Sequence, residues 1–299
     1  MFQTYFESAR AMADAGVKAA DPLTLAMPQA RALQDAYFAH FNLDLPPIAQ
    51  ALDLRIPGPV GDIGLRLYRP TAGTSLPVIV FVRGAGWWAG SLDSHARTMI
   101  QLAIFSGCAV LGVDYRRTPE HRFPIQRDEL LTTLRWLREQ GAEHELRDPG
   151  SPVIFGESAG ATLCLSAAMA LRDRDEPAPA GLVLFYTNAG GPKPTARAYS
   201  QWVWQQYLGH EGTSDDASAV PLLGEMHGLP PVWLGAGEDD PLITDTLELE
   251  ARLSAAGVPH ELVRYPGLPH GFVMWSGSLA PALDALQTAS QAAAGFLRA

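Results

Sequence analysis

An α/β fold on a mostly parallel sheet, covered by helices on both faces, is predicted for this 299-residue chain by three observations. Short apolar runs recur at 51–56, 63–69, 77–82, 108–113, 152–155, 181–186, 231–235 and 260–265, giving eight candidate strands. Stretches with apolar residues at three- and four-residue spacing fall between or after them, near 94–105, 125–140, 158–173, 243–257 and 279–297, so strand and helix alternate. The composition, 47% apolar and 18% charged, is that of a chain able to bury a large core, as one α/β domain of this length does.

The first two strands, 51–56 and 63–69, alternate in polarity and are joined by a Pro/Gly turn, the pattern of a half-buried pair. Ahead of them "YFESARAMADAGV" and "PQARALQDAYFAHFN" read as helices. We therefore expect residues 1–45 to form N-terminal cap helices and 46–299 a catalytic domain. The connection 187–228, rich in Gly, Pro and Trp, is too long for a simple loop and is expected to contribute to the cap.

Several function classes are excluded or disfavoured by composition. A net charge of −10, with Lys18 and Lys193 the only lysines and no basic run, argues against nucleic acid as a partner. Cys108 and Cys164 lie in apolar surroundings and read as small core residues, too few for a disulfide framework. The N-terminus lacks a basic start, a long apolar stretch and a cleavage site, and no apolar run approaches bilayer length. A cytoplasmic protein with no membrane association is the expectation, and a homo-oligomer remains open.

Chemistry concentrates in four places. In "LPVIVFVRGAGWWAGS", residues 76–91, a buried strand gives way to Arg83, three glycines and two tryptophans; such a loop lets backbone N–H groups converge on one point. "VIFGESAGATLCLSAA" sets Ser158 in a Gly-x-Ser-x-Gly turn between a strand and a helix. Small neighbours at Gly156 and Gly160 allow that tight turn, which thrusts the serine above the sheet edge. A nucleophilic serine needs a base and an orienting acid. "PVWLGAGEDDPLITD" offers Asp240, ahead of Asp239 and Asp245, the last of which also reads as a helix cap; "YPGLPHGF" offers His270. Of the other histidines, His121 reads as part of a structural turn and His95 as a helix cap or a solvent-facing ring. The glycine loop lacks a Gly-Lys-Ser/Thr ending and a dinucleotide fingerprint. It reads instead as donors for an oxyanion, with the N–H of Ala159 completing the set.

Together these segments resemble the hormone-sensitive lipase family of esterases, bacterial family IV. The resemblance runs over nearly the whole chain, through "IPGPVGDIGLRLYRP", "DYRRTPEHRFP", "GESAG", "GEDDPL" and "YPGLPHGF". It implies an α/β-hydrolase fold with a helical cap, hydrolysis of short- to medium-chain carboxylic esters of small molecules, and neither metal nor cofactor. It marks Ser158, Asp240 and His270 as the triad, and Ala85, Gly86 and Ala159 as the oxyanion hole. The loop departs from the family pattern, with Arg83-Gly84-Ala85-Gly86 where His-Gly-Gly-Gly is usual; Ala161 replaces a common glycine. Arg83 could brace the loop or anchor an anionic part of a substrate. Ala85 would be strained if its position needs φ > 0. Trp87 and Trp88 are candidate pocket residues, with core packing of at least one the plainer reading. Two other functions stay open on sequence grounds: an amide or lactone hydrolase or a cyclase on the same site, and a non-catalytic small-molecule receptor.

Overall fold

The computed structural model describes residues 5–193, 197–209 and 214–298. Eight strands form one sheet: β1 (Gln50–Ile56), β2 (Ile63–Arg69), β3 (Val78–Val82), β4 (Ala109–Asp114), β5 (Val153–Glu157), β6 (Gly181–Phe185), β7 (Val232–Gly237) and β8 (His260–Tyr265). Their order is β1-β2-β4-β3-β5-β6-β7-β8. Pairing is antiparallel for β1 with β2 and for β2 with β4, and parallel from β4 to β8.

Every residue of β3, β5, β6 and β7 is buried. Their continuous apolar runs are the consequence of a sheet covered on both sides. β1 alternates and stays largely open, as an edge strand with one wet face does.

The helices are α1 (Tyr5–Asp14), α2 (Met27–Phe41), α3 (Ala96–Ser106), α4 (Ile125–Gln140), α5 (Ala159–Asp173), α6 (Ala198–Leu208), α7 (Ile243–Ala255) and α8 (Ala280–Phe296). The β3–α3–β4 crossover steps one way across the sheet and β4–α4–β5 steps back over β3. Right-handed crossovers in opposite directions put α3 and α4 on opposite faces. Accordingly α3 packs with α8, and α4 with α5. The reversal between β3 and β5 is a topological switch point, where the loops leaving the carboxyl ends of neighbouring strands diverge and open a crevice. Val82 of β3 pairs with Gly156 of β5, so the loop after β3 faces the turn after β5.

The N-terminal helices are fastened to loops at this rim. Arg31 of α2 donates to the carbonyls of Trp88 (2.9 Å) and Thr118 (2.6 Å) and pairs with Glu120. Tyr5 and Phe41 meet the ring of Trp275 edge-on at 5.0 and 4.9 Å. Within 187–228 the chain forms α6, which carries Trp204 and Tyr207 inward. Among the described residues no helix is long and apolar enough to cross a membrane.

The tightest backbone packing is at the β5–α5 turn. A Cβ on Gly160 would lie 2.1 Å from Val82 O and 2.5 Å from Arg83 O, and one on Gly156 2.5 Å from Cys164 Sγ. Backbone oxygens cannot move aside as a side-chain tip can. Gly160→Ala should therefore destabilise the fold by about 3 kcal/mol or more, read as a drop in thermal midpoint; an unchanged midpoint would contradict this packing.

Candidate active site

Ser158 occupies the turn between β5 and α5 with φ 50° and ψ −120°, a conformation that costs a non-glycine residue strain. It is held there by its own N–H, which donates to Phe185 O at 3.0 Å, and by the close approach of Gly160 to the Val82 and Arg83 carbonyls. The turn lifts Oγ over the amino end of α5, whose unpaired N–H groups and dipole favour negative charge.

His270 lies in the loop after β8 and Asp240 in the turn after β7. The His270 ring bridges the other two: Nε2 is 2.8 Å from Ser158 Oγ and Nδ1 2.9 Å from Asp240 Oδ2. Asp240 is 3% exposed, and its Oδ1 accepts the N–H of Leu242 at 2.7 Å. An ionised Asp240 can only accept, so Nδ1 carries the proton and Nε2 is left to take one from the serine. Burial pulls the His270 imidazolium down, but the charge and hydrogen bond of Asp240 outweigh it and leave the ring above its ordinary value. The other two acids lie elsewhere. Asp239 is exposed; buried Asp245 receives the N–H groups of Ala189 and Gly190 and pairs with Lys193, tying down the strand exit after β6.

The loop after β3 turns with the opposite hand from an ordinary helix. Ala85, Gly86 and Trp87 all have positive φ (70°, 60° and 62°), and Ala89 N–H closes the turn on Ala85 O at 3.3 Å. Gly84 packs against the nucleophile turn, where a Cβ would be 3.0 Å from Glu157 O and 3.3 Å from Ser158 Cβ. Among the described residues, the N–H groups of Ala85, Gly86 and Ala159 have no intramolecular acceptor.

Arg83 is 1% exposed and faces protein. Its guanidinium donates to Ala89 O (2.7 Å) and Tyr115 O (2.8 Å), lies 3.6 Å from Asp114 Oδ1, and stacks 4.0 Å above the Tyr115 ring. Tyr115 returns a hydrogen bond to the carbonyls of Arg83 and Gly84. That arrangement spans the loop from its first residue to Ala89, and it keeps the guanidinium buried away from any ligand in solvent.

Trp87 and Trp88, candidates for the substrate pocket, offer it no open face, being 0% and 1% exposed. Trp87 stacks on Tyr207 (4.1 Å, 11°) and meets Trp204 edge-on at 4.8 Å, while Trp88 Nε1 donates to Tyr199 Oη at 3.0 Å. The reason is α6: its aromatic face closes over the loop, and a Cβ on Gly86 would come within 2.9 Å of Val203 Cγ1. His95 likewise departs from expectation. It neither caps α3 nor meets solvent; it is 2% exposed and points at the buried carboxylate of Glu157.

Alanine in the left-handed region costs roughly 1–2 kcal/mol, of which glycine would return about half through its freer unfolded chain. Ala85→Gly should thus stabilise the protein by up to about 1 kcal/mol. Urea denaturation reads this directly, and a clear loss of stability would contradict the backbone assignment.

A family profile described as the alpha/beta hydrolase fold matches residues 79–274. Esterase LipI of Mycobacterium tuberculosis is 31% identical over 259 residues, 80% of each chain. An acetyl esterase of Salmonella schwarzengrund is 30% identical over 262 residues, 83% of this chain and 80% of the relative. Among solved structures, an alpha/beta hydrolase enzyme from the metagenome of Lake Arreo, Spain, is similar with a TM-score of 0.90 at 27% identity, over 98% of this chain and 97% of its own. A hyperthermophilic esterase from the archaeon Pyrobaculum calidifontis gives a TM-score of 0.89 at 25% identity over 100% of both chains. With the motif order, the sheet and these relatives in agreement, the chain belongs to the hormone-sensitive lipase family (bacterial family IV) of α/β-hydrolase esterases.

Proposed function

We propose that the chain is a serine carboxylesterase acting on short- to medium-chain esters through a Ser158–Asp240–His270 triad and an acyl-enzyme. One observation carries the reading: a single imidazole within hydrogen-bond reach of both the serine hydroxyl, at 2.8 Å, and a buried carboxylate, at 2.9 Å.

In the first half-reaction Ser158 Oγ attacks the ester carbonyl as its proton passes to His270 Nε2. The imidazolium that forms is stabilised by Asp240. The carbonyl oxygen gains the negative charge, and the free N–H groups of Ala85, Gly86 and Ala159 are the donors for it. Such donors are worth most where water is excluded and they are already in place. His270 returns the proton to the alcohol as it leaves. In the second half-reaction water loses a proton to His270, attacks the acyl carbonyl, and releases the acid and Ser158.

We assign Arg83 as the brace that keeps those donors aimed. We further assign α1 and α2, with α6 from the 187–228 connection, as a cap over the rim. A short acyl preference agrees with a nucleophile only 9% exposed, and with the acetyl esterase name borne by one relative.

Three outcomes are expected. Ser158→Ala should lower ester hydrolysis by roughly 10⁵–10⁶-fold and abolish labelling by a fluorophosphonate; full hydrolysis in that variant would remove the proposal. On a p-nitrophenyl ester series, acetate or butyrate should be turned over faster than palmitate. Finally, the base must be neutral to work, and the Asp240 charge raises its pKa, so activity is lost as pH falls through that raised value. The acid limb of kcat/KM should accordingly lie above about 6.5, the ordinary value for histidine, and move lower in Asp240→Asn.

A further inference from the structure

Next to the nucleophile lies a buried carboxylate that the triad does not use. Glu157 ends β5, one residue before Ser158, and is 2% exposed. Its Oε1 lies 2.8 Å from His95 Nε2 in a close but bent contact, and its Oε2 accepts the hydroxyl of Tyr186. Burial disfavours the ionised form, yet His95, the Tyr186 hydroxyl and the Gly84 N–H outweigh it and hold the carboxyl below its ordinary range. A charge kept in so dry a place needs such partners, and here they lead to the oxyanion loop and to the His270 ring.

His95 is tied to the far end of the oxyanion loop. Its Nδ1 is 2.7 Å from Ser94 Oγ, which accepts the Ser91 N–H at 2.7 Å and gives its own proton to Ser91 O at 2.8 Å. The loop also rests on the ring, since a Cβ on Gly90 would be 3.3 Å from His95 Cε1. Gly84, at the start of the loop, packs on Glu157 itself. Tyr186, just after β6, turns its ring edge to His270 at 4.9 Å.

We propose that Glu157 is a positioning residue of the active site: gripped by His95 and Tyr186, its carboxylate locks the oxyanion loop and the His270 ring to the nucleophile turn. It touches no reacting atom, and the inference rests on the triad reading above. The charged and titratable groups facing His270 are Asp240 from the turn after β7, Asp245 of α7, Tyr186 and Glu157. Those facing Glu157 are His95, Tyr186 and Tyr115. The Glu157 charge therefore adds to that of Asp240 in favouring imidazolium.

The test uses the full chain with p-nitrophenyl butyrate across pH, and fluorophosphonate titration of Ser158. Glu157→Gln should lower kcat about 10- to 100-fold, leave KM within about twofold, and move the acid limb to lower pH. Tyr186→Phe removes one hydroxyl, keeps the ring against His270, and should lower kcat by a smaller factor of about 3–10. A folded Glu157→Gln enzyme with wild-type kcat and acid limb overturns the proposal, even if its thermal midpoint falls, because the carboxylate would then serve stability alone. Should Glu157→Gln not fold, an unchanged kcat in Tyr186→Phe overturns it. Wild-type enzyme that fails to label at Ser158 overturns the triad reading and this one with it; stoichiometric labelling with unchanged variants overturns this one only.

Discussion

The backbone of Ser158 is held in a conformation that an isolated serine avoids, and the rest of the site depends on that constraint. The strain is tolerated because the turn is pinned on all sides: by β5 before it, by α5 after it, by Phe185 O on its N–H, and by the β3 carbonyls against Gly160. Relaxing it would require moving the central strands of the sheet, each fully buried. Stored strain of this kind persists only where the surroundings over-determine it. Its product is geometric, since Oγ rises above the rim where the loops after β3, β7 and β8 converge.

Around that fixed hydroxyl the charges fall into two sets with different work. In the proposed mechanism His270 alone exchanges protons with the reacting atoms, and Asp240 holds its ring, the pairing tilting the imidazole toward its charged form. Arg83 and Glu157 lie behind them, both almost wholly buried and both held by protein groups. Arg83 spans the oxyanion loop from strand end to Ala89, and Glu157 reaches the same loop from the nucleophile side through His95. A guanidinium keeps its charge over the whole working range, and its fork engages two carbonyls at once. With both in place, the left-handed turn at 85–87 needs fewer glycines than it would unsupported, which accounts for Ala85 surviving at φ 70°.

Most of the fold was legible because its period is simple. All eight strand runs and the five helices expected at 94–105, 125–140, 158–173, 243–257 and 279–297 read correctly to within a few residues, since a doubly covered sheet forces continuous apolar segments and amphipathic helices alternate with them. The three residues of the proposed triad stood out in the sequence because each sits at a fixed place in that alternation, just past a strand. α6 did not, because 187–228 mixes Gly, Pro and Trp without a clean period and its inward face is aromatic rather than aliphatic. That helix is also why Trp87 and Trp88 were misplaced: their burial comes from a partner more than 100 residues away. His95 and Glu157 were invisible for a similar reason. Nothing local marks a histidine at a helix start as the partner of a carboxylate 62 residues later, although a glutamate at the end of an otherwise apolar strand was itself a sign that a buried counter-group must exist.

The central claim is that Ser158 Oγ, the His270 ring and the free N–H groups of Ala85, Gly86 and Ala159 share one point in space. A crystal structure of the protein inactivated with an alkyl phosphonate tests this most directly, because the phosphonyl oxygen occupies the place of the oxyanion. The account predicts phosphorus bonded to Ser158 Oγ, with that oxygen about 2.7–3.1 Å from the three nitrogens and His270 beside the esterified oxygen. Phosphorus on another residue, or a phosphonyl oxygen turned to solvent away from the loop, would contradict it.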